Sequence, residues 1–136
     1  MCLHAEHKYR GKNVTPTVLV VDDQPEFVLL IRDILAGQEE FQITGEAHDG
    51  YTALRFVEES LPDMVLLDVE MPGLNGLNVA ALMRKRFPQV KVVLMSAHHA
   101  DDFRAEGLRA GACDFITKTN LSVERLRQAW TSNLPS

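Results

Sequence analysis

Apolar residues along the chain fall into two patterns that take turns. In residues 17–21, 64–67, 90–95 and 113–117 they form short runs without polar alternation, each leading into a polar residue. That is how a strand covered on both faces reads. Between these runs apolar residues recur three and four apart, as on one face of a helix. The stripes are Phe27, Leu30, Ile31, Ile34 and Leu35; then Leu54, Val57 and Leu61; then Val79, Ala80, Met83 and Phe87; then Ala100, Phe103 and Leu108; and last Val123, Leu126, Trp130 and Leu134. Residues 41–48 hold Ile43 and Ala47 among polar neighbours and predict a more exposed strand at or near a sheet edge.

Punctuation agrees with the periodicity. Pro25 suits a first helical turn, and Gly37 ends the first helix. Asp49-Gly50 is a turn, and Pro62 and Pro88 stop the second and third helices. Asn75 is placed to cap the third helix, whose end carries Arg84, Lys85 and Arg86 where the macrodipole favours cations. Gly107 weakens the fourth helix, and Asn120 or Ser122 caps the fifth. Five strands alternating with five helices predict an α/β fold, a parallel sheet with right-handed crossovers and helices on two faces. The flavodoxin-like doubly wound order 2-1-3-4-5 fits, because the second strand is edge-like while the first and third are buried.

At 136 residues the chain has room for one domain, expected over residues 16–134 behind a flexible leader at 1–15. A net charge of −5 argues against direct nucleic-acid binding, which needs a basic face. No apolar run reaches the length of a membrane span and none resembles a signal peptide, so a cytoplasmic location is expected. Cys2 and Cys113 do not read as a disulfide pair, and Cys113 is expected to pack. Cys2, His4 and His7 are weak metal candidates in a polar tail.

The chemistry lies in the polar residues at the ends of the apolar runs: Asp22 and Asp23 after the first, Asp68 after the third, Ser96 after the fourth and Lys118 after the fifth. In a parallel sheet these tips share one edge, where ligands of such folds bind. Two carboxylates about 5 Å apart repel by roughly 3 kcal/mol at an effective dielectric of about 20. One lysine does not offset three converging acids, so a divalent cation is expected, and hard oxygen ligands suit Mg²⁺. A cation, a carboxylate, a hydroxyl and an ammonium around one point can run phosphoryl transfer: Asp68 attacks, the metal and Lys118 neutralise oxygens, and Ser96 donates a hydrogen bond. Behind Asp68, Met71-Pro72-Gly73 predicts a stiff turn, with Gly73 free to take positive φ.

Asp22-Asp23, Asp68 with Met71-Pro72-Gly73 and Gly76, Ser96-Ala97, Ala110-Gly111-Ala112 and Lys118, in this order, resemble the receiver domain of bacterial two-component response regulators. The resemblance implies that Asp68 takes a phosphoryl group from a histidine kinase, a phosphotransfer protein or a small phosphodonor. It implies Mg²⁺ on Asp23, Asp68 and the backbone carbonyl of Glu70, with Asp22 helping through water. Ser96 and Phe115 match the two switch positions, and Glu70 and His98 match positions that flank the phosphoryl group and tune its lifetime. Implied partners are the kinase and an output domain or downstream protein, with a homodimer through the fourth helix, fifth strand and fifth helix. Two departures stand out. Phe115 lacks the hydroxyl of the tyrosine often found there, and Thr119 follows Lys118 where the family has proline after a cis bond; a cis Lys118-Thr119 bond is expected.

Other functions fit less well. A dehalogenase-type aspartyl-phosphate phosphatase wants a second aspartate where Glu70 stands, and a cap insertion. A flavin carrier wants a phosphate cradle where the first strand ends in two acids. A receiver-like binding module that takes no phosphate is the remaining alternative.

Overall fold

The uninterrupted apolar runs are the middle of the sheet. In the computed structural model, which describes residues 15–71, 73, 75–97 and 104–132, strand β3 (Met64–Asp68) is buried throughout its length. Strands β1 (Thr17–Val21) and β4 (Lys91–Ser96) are buried beyond their first residue. Strand β2 (Gln42–Ala47) alternates exposed and half-buried positions, as an edge does, and β5 (Asp114–Thr117) closes the other side. All pairings are parallel and the order is β2-β1-β3-β4-β5. Helices α1 (Pro25–Leu35), α2 (Gly50–Ser60), α3 (Gly76–Arg86) and α4 (Arg104–Arg109) make the four crossovers, and α5 (Val123–Trp130) follows the last strand and packs back on the sheet.

Alternation along each strand sends neighbouring side chains to opposite faces. Val18, Val20, Leu66, Val93 and Ile116 pack with Phe27 and Ile31 of α1 and Leu126 and Ala129 of α5. Leu19, Val21, Val65, Leu67, Leu94 and Phe115 pack with Ala53 and Val57 of α2 and Val79 and Met83 of α3. Each fully buried aliphatic side chain contributes about 1.5–3 kcal/mol. The two cores fix the strand register and thereby the level at which the strand tips emerge.

Caps explain several boundaries. Asn75 Oδ1 accepts from Asn78 N at 2.9 Å and opens α3. Ser122 Oγ accepts from Arg125 N at 3.0 Å, so Ser122 and not Asn120 caps α5. Asp49 does more than turn the chain: its Oδ1 accepts from Thr52 N at 2.8 Å and caps α2. Pro25 occupies the first turn of α1 as expected.

Two stripe positions differ from expectation. Leu30 is 47% exposed, and Val28 is buried in its place. The buried face of α1 is centred on Ile31 and Leu35, which Val28 adjoins and Leu30 does not. Leu61, instead of extending the α2 stripe, caps the helix in the left-handed region at φ 43°. Pro62 bars the α conformation at the residue before it.

The expected cis bond is also wrong. Every described peptide bond is trans, Lys118-Thr119 included. A cis bond before a residue other than proline costs about 2.5–4 kcal/mol, and the chain turns without one through a 3₁₀ turn at Lys118–Asn120, closed by Leu121 N donating to Lys118 O at 3.3 Å. Gly73 does take positive φ, 78°. The expectations for Cys2, His4, His7, Pro72, His98, His99, Ala100, Phe103 and Leu134 lie outside the described residues. Among the described residues no helix is long and apolar enough to cross a membrane.

Candidate active site

Sheet register builds the site. Val21 pairs with Leu67 and Asp68 with Met95, so the residues after β1, the end of β3 and the end of β4 emerge side by side. Asp22 is fixed from two directions. Its N–H donates to Ala47 O at 3.0 Å, and its Oδ1 accepts from Gln24 N at 2.9 Å. Behind Asp68, Gly76 allows α3 to begin almost against the strand. A Cβ there would stand 2.3 Å from Asp68 O and 2.7 Å from Val69 Cα, both backbone atoms that cannot move aside.

Asp22, Asp23 and Asp68 each bring a carboxylate oxygen within 4.8 Å of the others. Asp22 and Asp68 are buried and Asp23 is exposed, so the cluster opens to solvent on one side. Lys118 Nζ reaches in from the end of β5, 2.7 Å from Asp22 Oδ2 and 3.3 Å from Asp68 Oδ2. It donates to Asp68 Oδ2 and to Gln24 Oε1, the latter at 3.2 Å, and lies 4.3 Å from the centre of the Phe27 ring. Its contact with Asp22 Oδ2 is an ion pair and not a hydrogen bond. That oxygen is therefore buried with no hydrogen-bond partner.

Burial pushes the Asp68 carboxyl up to about 6; the Glu70 N–H opposes this, the Asp22 charge adds to it, and Lys118 opposes it. Three carboxylates against one ammonium leave an excess of negative charge at a partly buried point. A buried carboxylate oxygen that accepts no hydrogen bond, touched by the Lys118 ammonium and within reach of two other acids, fits a hard divalent cation. The donor set therefore accommodates the metal expected from the sequence.

The remaining expected site residues divide. Ser96 is buried at the end of β4, and its Oγ donates to Glu70 Oε1 at 3.3 Å. Glu70 N donates to Asp68 Oδ1 at 3.0 Å, which places the Glu70 backbone against the cluster. Phe115 is 1% exposed and packs inward with the α2–α3 side of the core, away from the acids. His98 lies outside the described residues. Cys113 is half-buried, and its burial pushes the thiol up, which suits packing and not attack.

Three participants escaped sequence reasoning. Gln24 and Phe27 hold Lys118, and His48 Nδ1 lies 3.1 Å from Asp22 O. A signal existed for Gln24, which directly follows the two acids. None existed for Phe27, whose helical spacing accounts fully for it as a core residue.

Residues 18–131 match the family model described as the response regulator receiver domain. A protein-glutamate methylesterase/protein-glutamine glutaminase of Pyrococcus horikoshii is 41% identical over 108 residues, 78% of this chain and 29% of that protein. The response regulator GacA of Pseudomonas syringae is 39% identical over 101 residues, 74% of this chain and 47% of that one. The chain thus spans less than half the length of these relatives. The crystal structure of the response regulator domain of Thermotoga maritima CheB superposes with a TM-score of 0.76 at 32% identity, covering 89% of this chain and all of that one. Fold, strand-tip cluster and family match agree, and the chain belongs to the response regulator receiver domain family.

Proposed function

We propose that Asp68 is a phosphoryl acceptor and that the chain is a phosphorylation-activated signalling switch. The observation that carries this is a buried carboxylate at a central strand tip, with Lys118 Nζ 3.3 Å away and two further acids in reach. Asp23, Asp68 and the Glu70 carbonyl would hold Mg²⁺ with Asp22 through water, and the ion would neutralise phosphoryl oxygens and acidic repulsion. An ionised Asp68 oxygen attacks phosphorus. The new O–P bond forms as the P–N bond of a histidine kinase's phosphohistidine breaks, and that electron pair leaves on the imidazole. With acetyl phosphate the P–O bond breaks and acetate leaves. Lys118, already beside Asp68, neutralises a transferred oxygen.

Signal transmission runs through Ser96, whose hydroxyl donates to the phosphoryl group, and Phe115, two strands over from Asp68, follows. The face of α4, β5 and α5 meets the output domain, a downstream protein or a second copy. Ion pairs already knit that face: Asp114 accepts from Arg125 at 2.8 and 3.0 Å, and Arg104 lies 3.8 Å away. The relatives named as a methylesterase and as a response regulator extend beyond the matched segment, which supports control of an attached or separate output. Kinase phosphohistidines and acetyl phosphate are cytoplasmic donors, so the proposed setting is the cytoplasm.

Borohydride reduces an aspartyl phosphate to homoserine, which makes the acceptor mappable. After incubation with acetyl phosphate and Mg²⁺, peptide sequencing by mass spectrometry is expected to find homoserine at Asp68 alone. Homoserine at Asp22, Asp23 or elsewhere, with Asp68 intact, would refute the assignment.

A further inference from the structure

At the end of β4 two donors face the site, the Ser96 hydroxyl and the Ala97 N–H. Both point to the same atom: Glu70 Oε1 lies 3.3 Å from Ser96 Oγ and 3.4 Å from Ala97 N. The other end of Glu70 is engaged as well, its N–H on Asp68 Oδ1 at 3.0 Å. One residue therefore bridges the acceptor carboxylate and the switch hydroxyl. Each donor carries a single proton. A phosphoryl oxygen arriving on Asp68 must take those protons from an anionic oxygen already in place. Both contacts are long for hydrogen bonds, so the hold is weak enough to be broken.

We propose that Glu70 is a positioning residue whose carboxylate stands in for a phosphoryl oxygen: it aims Ser96 and Ala97 at the site before phosphorylation and is displaced by the phosphoryl group. This rests on Asp68 being the acceptor. The consequence is a competition. Glu70 opposes the phosphorylated arrangement in two ways, by occupying the donors and by adding a carboxylate to an already acidic cluster. Removing it frees the donors at the cost of their aim in the resting state.

The test uses the full chain, isotopically labelled, as wild type, Glu70→Ala and Glu70→Gln. The first readout involves no phosphoryl chemistry. Without added metal, the Ala97 amide proton is expected upfield in Glu70→Ala relative to wild type, as for a lost acceptor, and restored in Glu70→Gln, whose amide oxygen still accepts. The second is titration with beryllium fluoride and Mg²⁺, which places an anionic phosphoryl mimic on the acceptor. Glu70→Ala is expected to bind it about fivefold tighter, the worth of one competing hydrogen bond, with Glu70→Gln in between. An Ala97 amide unmoved by Glu70→Ala, or equal or weaker mimic binding, overturns the proposal. Wild type that shows the amide contrast but binds no mimic at Asp68 overturns the acceptor assignment, and displacement falls with it.

Discussion

Asp68 is a carboxylate whose surroundings oppose its charge: burial and Asp22 push its pKa to about 6 despite the Glu70 N–H and Lys118. The unfolded chain holds the same group near its ordinary 3.8. With the folded pKa raised, the folded state binds the proton more tightly. The ionised form therefore costs stability that appears as pH rises from about 4 to about 6 and persists above it. In the absence of divalent cations, Asp68→Asn is expected to stabilise the fold at neutral pH by about 1–3 kcal/mol. The gain should shrink toward zero near pH 4, and urea unfolding at a series of pH values checks both. A gain independent of pH would mean that charge is not its cause. At this scale the sequence was legible where polar residues interrupt buried strands: Asp22, Asp23, Asp68, Ser96 and Lys118 all stand at strand tips as expected. It was not legible for Phe27 and His48, whose contributions depend on side-chain reach between separate elements and leave no trace in the sequence pattern.

Among elements, α4 and β5 show how closely the chain packs around Phe115. A Cβ at Gly107 would stand 2.8 Å from Leu94 Cδ1 and 3.1 Å from Phe115 Cδ2. The missing side chain lets α4 lie on the strands and leaves room for Phe115 to point inward. Gly107→Ala improves helix propensity, yet overpacking is expected to dominate, with a net loss of about 1–3 kcal/mol. Phe115→Leu in the same chain should recover part of that loss, and a double-mutant cycle on thermal or urea unfolding measures the coupling. Strict additivity would show that the two positions do not share that space. Helical periodicity marks Gly107 only as a weak point in a stripe; its closeness to Phe115 arises from crossover packing between separate elements. The same limit explains Leu30 and Leu61. Periodicity finds an apolar stripe but not its centre, and a left-handed cap before Pro62 outweighs the spacing that would put Leu61 on the buried face.

At the scale of the molecule, the doubly wound order was readable because the edge character of β2 and the unbroken burial of β3 left few arrangements. That order alone brings the tips of β1 and β3 together, and with them three acids that no short segment would assemble. The Lys118-Thr119 geometry was misread because a family habit tied to proline was carried to a chain that turns there by a trans 3₁₀ path. Lys118 nevertheless reaches Asp68, so the site tolerates the departure. If Asp68 is the acceptor, this assembled acidic point takes a phosphoryl group only when a cation bridges its charges. Intact mass after incubation with acetyl phosphate tests this most directly, on wild type and Asp68→Asn, each with Mg²⁺ and with excess chelator. The expected result is the mass of one added phosphoryl group on wild type with Mg²⁺ and none in the other three samples; equal labelling of Asp68→Asn, or labelling undiminished by the chelator, would contradict it.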